Sequence, residues 1–159
     1  MDKMTPLEKK IRDNFNRIPE KEYSSKYIEI CESLRPILVE NSNQNISSYI
    51  LKKMLNSDTL SPKETLYVLH KLIVIDTTSG NIVNTLKLTI DYLKLAEDTN
   101  SIYDINRAKI GLSFIFNSLG AINRAITVLE SIDINSISYP NGNRNKAMIN
   151  FNYYFYSFL

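Results

Sequence analysis

At 159 residues, with 43% apolar and 23% charged side chains, the chain is one domain's worth of ordinary globular protein, which excludes a disordered or collagen-like polymer. A formal net charge of +2 is too small to mark nucleic acid as the main partner, and the basic residues are interleaved with acids, as in Glu8-Lys9-Lys10 and Glu20-Lys21-Glu22. Cys31 is the only cysteine, so no intramolecular disulfide can form.

The first predicted helix spans Pro6 to Arg17. Thr5 can cap it, Pro6 suits its first turn, Glu8 completes a capping box, and Leu7, Ile11 and Phe15 form an apolar stripe. Pro19 ends it. A second runs from about Lys21 to Asn41, with Tyr27, Ile30, Cys31, Leu34, Ile37 and Leu38 on one face and a kink or break near Arg35, ahead of Pro36. A third, Ile46 to Asn56, carries Ile46, Ile50, Leu51 and Met54.

From Ser61 the pattern strengthens. Ser61-Pro62-Lys63-Glu64 is a second capping box with a proline at the first helical position, followed by Leu66, Leu69, Leu72 and Ile73. Thr77-Thr78-Ser79-Gly80 breaks the run. Asn81 opens the next helix, to about Glu97, with Ile82, Leu86, Ile90 and Leu93 as its stripe. After the turn Asp98-Thr99-Asn100-Ser101, a helix covers Ile102 to Leu119. Gly120 interrupts, and Ala121 to Ile132 is its partner. Asp133 to Asn145, holding Pro140-Asn141-Gly142, is a loop, and Lys146 to Leu159 is a last helix dense in aromatics. Turns this short make successive helices antiparallel neighbours, so the predicted fold is all-α.

The segment Ala108 to Leu129, AKIGLSFIFNSLGAINRAITVL, resembles one tetratricopeptide repeat. Leu112, Ser113, Phe116, Leu119, Gly120, Ile122, Ala125 and Leu129 fall on that family's signature in order, and only Lys109 departs from it. Ser113 and Ala125 are small where two helices cross, Gly120 supplies the turn, and Gly111 reads as a second close-approach point. Shifting by 40 residues places Leu72, Ile73, Gly80, Ile82 and Thr85 on the same positions, with Asp76 where the aromatic belongs. A shift of 39 the other way places Ala147, Phe151, Phe155 and Phe158. This period exceeds the family's usual length of about 34 residues. Longer units of this kind are similar to the arrays at the N-terminus of bacterial signalling proteins of the GGDEF or sensor-kinase type.

The resemblance implies antiparallel hairpins stacked as a right-handed α-α solenoid, a single domain over 1–159. Residues 1–58 read as degenerate repeats or a helical cap, and 61–98, 101–132 and 146–159 as hairpins, the last incomplete. It also implies a groove lined by the first helix of each pair: Tyr67, His70, Lys71 and Val74, then Arg107, Ile110, Phe114 and Asn117, then Lys146, Asn150, Tyr153 and Tyr156. Amides there can bond a peptide backbone, and bases can take carboxylates. In the last helix Phe151, Tyr154, Phe155 and Phe158 offer a surface for a further repeat or a homodimer. Three readings of that helix stand open: a fragment of a longer protein, a dimer, or a complete aromatic cap.

Little in the sequence points to catalysis. His70 is the only histidine and lies mid-helix, no zinc set or phosphate loop can be assembled, and Cys31 sits on an apolar helical face. No enzyme, metal or cofactor is expected. The lack of an apolar run of about 18 residues leaves no membrane span, and the polar N-terminus is not a signal peptide, so a cytoplasmic protein is expected. The expected function is binding a protein or peptide, as the sensory part of a bacterial signalling protein regulating an output such as a diguanylate cyclase. A peptide-sensing transcriptional or phosphatase regulator is the alternative.

Overall fold

The computed structural model describes residues 4–36 and 44–132. They form α1 (Pro6–Asn16), a 3-10 turn (Glu20–Glu22), α2 (Tyr23–Ser33), α3 (Gln44–Leu55), α4 (Pro62–Thr78), α5 (Ile82–Asp98), α6 (Ile102–Ser118) and α7 (Ile122–Glu130), with no strand among the described residues. The loop 133–145 and the last predicted helix, 146–159, lie outside them.

Local chemistry sets the helix boundaries. At α1 the Glu8 amide donates to Thr5 Oγ1 at 3.2 Å, and the Thr5 amide donates to Glu8 Oε2 at 2.6 Å. The same reciprocal pair, Ser61 and Glu64, starts α4. These two capping boxes satisfy amides that the first helical turn leaves unpaired. α2 stops at Ser33, close to the break expected near Arg35, rather than running on to Asn41. Pro36 has no N–H to give the Glu32 carbonyl, and its ring crowds that carbonyl, so the ladder cannot continue.

α4, α5 and α6 are each 17 residues long, and each ends in the same turn. Gly80 (φ 73°), Asn100 (φ 53°) and Gly120 (φ 73°) adopt the left-handed conformation there. The next amide reaches back over the turn each time: Asn81 to the Asp76 carbonyl at 3.0 Å, Ser101 to Ala96 at 2.9 Å, and Ala121 to Phe116 at 2.8 Å. This is the Schellman closure, which satisfies carbonyls that the helix end would strand. The following residue then caps the next helix: the Asn84 amide donates to Asn81 Oδ1, and the Asp104 amide to Ser101 Oγ. Ala121 has no capping side chain.

The chain divides into two compact units, Met1–Asn84 and Thr85–Leu159. In the first, α1 packs on α3, and α2 and α3 pack on α4. Its core holds Ile11, Phe15, Tyr23, Ile30, Leu34, Ile50, Leu51, Met54, Val68, Leu72 and Ile75. Phe15 and Tyr23 stack at 5.1 Å. In the second, α6 packs on α7 around Ala125, Leu129 and Ile132, with Ile110, Phe116, Ile122 and Ile126 against them. Ser113 and Ala125 are both fully buried.

Expectations on α1, α5 and α6 need correction. Leu7 is 38% exposed, and Glu8 takes its place in the buried face of α1, because the capping box folds the carboxylate back over the helix start. In α5 the predicted stripe is not the core face: Ile90 is exposed, while Thr85, Thr89, Tyr92 and Ala96 are buried. The polar members enter the interior paired: the Thr89 hydroxyl donates to the Thr85 carbonyl at 2.7 Å, and the Tyr92 hydroxyl donates to Asp104. Gly111 is not a close-approach point, since an added Cβ would meet only Thr89 Cγ2 at an ordinary 3.6 Å. Leu119, on the family signature, is 51% exposed.

Three substitutions test this geometry. Gly111→Ala should stabilise the chain by about 0.5–1 kcal/mol, because the helix interior has room for a methyl. Gly120→Ala should cost about 1–2 kcal/mol, because its left-handed conformation penalises a Cβ. Urea unfolding of both variants checks the opposite signs. Asn106 is 7% exposed with its Nδ2 unpaired, and Leu66 fills the corresponding place 40 residues earlier. Asn106→Leu should therefore raise stability by about 1–3 kcal/mol, the desolvation cost of an unpaired buried donor; an equal or lower urea midpoint would refute that accounting.

Candidate binding faces

α6 turns Ala108, Leu112, Ser113 and Ile115 to the interior, and this leaves a stripe outside. Tyr103, Arg107, Ile110, Phe114 and Asn117 recur every three or four positions and share one helix face. Tyr103 is 38% and Phe114 41% exposed, Arg107 is exposed, and Ile110 and Asn117 are half-buried. Arg107 Nη1 donates to the Tyr103 hydroxyl at 3.0 Å, and the guanidinium lies 5.5 Å from the centre of that ring. Such a contact contributes about 0.5–1 kcal/mol at an exposed site and holds the cation along the ridge.

The nearby acid faces inward. Asp104 accepts hydrogen bonds from the Tyr92 hydroxyl and from Ser101 Oγ. Burial first, and then the bond to Asp104, hold the Tyr92 phenol well above its usual range.

The α4 face is built differently. Tyr67, His70 and Lys71 are half-buried and Val74 is exposed. The Tyr67 ring meets Tyr27 of α2 edge-on at 5.5 Å, and Lys71 Nζ sits 5.2 Å from its centre. Tyr67 therefore serves packing within the first unit as well as facing outward. At the α4–α5 turn, Asp76 occupies the place that Phe116 takes in α6, and it is buried because Asn84 Nδ2 donates to it.

The structure thus pairs Tyr67 with Lys71 on α4 and sets Arg107, Ile110, Phe114 and Asn117 in one line on α6. Tyr103 belongs to that line and was missed, although its spacing of four from Arg107 was a readable signal. Lys146, Asn150, Tyr153 and Tyr156, and the proposed oligomer surface Phe151, Tyr154, Phe155 and Phe158, lie outside the described residues. An open cleft of about 480 Å³ also lies between α1 and α3, lined by Met4, Arg12, Asp13, Asn16, Ile46 and Tyr49. Arg12 there is 3.5 Å from the Asp13 carboxylate, so the opposite charges offset each other. Among the described residues no three His, Cys, Asp or Glu side chains gather as a metal site, and no helix is long and apolar enough to cross a membrane.

Comparison with protein-family models, with curated proteins and with solved structures finds no match to this chain. Its own geometry therefore carries the functional reading.

Cys31 is 3% exposed, and burial pushes its thiol up to about 11 from 9.0, against the opposing charge of Lys71. The folded chain keeps a proton that the unfolded chain releases. This contribution to stability is complete below pH 9.0 and is lost as the pH rises toward about 11. Cys31→Ala should flatten that alkaline loss while lowering stability at pH 7 by opening a small cavity. Urea midpoints from pH 7 to 11 check both, and an unchanged alkaline slope would show that Cys31 titrates as an ordinary thiol.

Proposed function

We propose that the chain is a non-catalytic module that binds a protein or peptide through the outward faces of a tetratricopeptide-like helix stack. The observation that carries this reading is the α6 stripe. It combines an exposed aromatic, a half-buried aliphatic, an amide and a ring-held cation, the mixture that grips side chains and backbone of a partner together.

Two features of the helices support the stack. Many positions 40 residues apart share an environment: Val68 with Ala108, Leu72 with Leu112, Ile75 with Ile115, Thr85 with Ala125, Thr89 with Leu129 and Tyr92 with Ile132 are all buried, and Val74 with Phe114 are both exposed, whereas Leu69 and Asp76 are buried and Lys109 and Phe116 half-buried. In the first unit, α1 packs on α3 and α2 on α4, so alternate helices are neighbours, as stacking of hairpins requires. The resemblance of these long units to signalling arrays supports placing the module in a bacterial signal-transduction protein, as the part that senses and passes its state to an output domain.

Selection from a displayed random-peptide library, with the purified chain as bait, tests the reading. Fluorescence anisotropy would then compare each selected peptide on the parent and on Phe114→Ala/Asn117→Ala. The double variant should weaken binding by more than about 30-fold, equivalent to about 2 kcal/mol, while a thermal melt shows the chain still folded. A library that yields no binder, or binders indifferent to the substitutions, would remove α6 as the recognition face.

A further inference from the structure

We draw no further inference here: the strongest candidate, the apolar stripe of α5 on which Val83 is 80% and Ile90 38% exposed with Leu86 half-buried between them, has nothing in the structure to show what covers it.

Discussion

A left-handed residue at every twentieth position, Gly80, Asn100 and Gly120, governs the architecture from Ser61 to Ile132. Each closes a helix of 17 residues, about 25 Å long. Phase decides burial. One residue more or less in a turn would rotate the following helix by about 100° relative to its neighbour and carry a different set of side chains inward. Several residues 40 apart are buried alike even where they differ chemically. Leu66 and Asn106 are both buried, and so are Thr85 and Ala125.

The interior so created is lined in part by small side chains. Thr85, Thr89, Ala96, Ala108, Ser113 and Ala125 are each 2% exposed or less. Small residues let helices approach, and two of the hydroxyls are satisfied within their own helix: Ser113 donates to the Ile110 carbonyl at 2.7 Å, as Thr89 does to Thr85. The larger apolar side chains of these helices are then divided. Leu72, Ile75, Tyr92, Leu112 and Ile115 go inside, while Val74, Val83, Ile90, Phe114 and Leu119 remain outside. The outward apolar residues are thus a consequence of how the helices pack, and Phe114 is the one among them on the candidate face of α6.

Legibility from sequence follows the range of the interaction. Thr5 with Glu8, Ser61 with Glu64, and the turns at Gly80 and Gly120 depend on groups within a few residues of one another, and the sequence shows them directly. The break before Pro36 is equally local. The faces of α1 and α5 are another matter. Ile82, Leu86, Ile90 and Leu93 recur at helical spacing, but so do Thr85, Thr89, Tyr92 and Ala96, and hydropathy ranks the first set higher. The buried set is the second, in which Tyr92 and the small Thr85, Thr89 and Ala96 are 2% exposed or less while Ile90 is 38% exposed. Asp76 looked like a failed aromatic position, yet Asn84 answers its carboxylate from across a turn. On the candidate faces, carrying positions from one copy to another found Arg107 and Phe114 but passed over Tyr103, which lies beyond the carried set.

The two candidate faces hold the same kind of pair, an aromatic ring and a cation four residues later, but they use it differently. On α4 the Tyr67 ring is also the contact for Tyr27 of α2. A partner that took hold of Tyr67 would have to share the ring with α2 or displace it, and the lost packing would subtract from the affinity. On α6 the pair lies on an exposed ridge beside Phe114, and Arg107 is already drawn along the helix by Tyr103. A long cation fixed before binding has less rotamer freedom to lose when a partner arrives, and ordering such a side chain otherwise costs about 0.5–1.5 kcal/mol. Of the two candidate faces, α6 is the one whose ring and cation are both exposed, so a partner would meet that pair already in place.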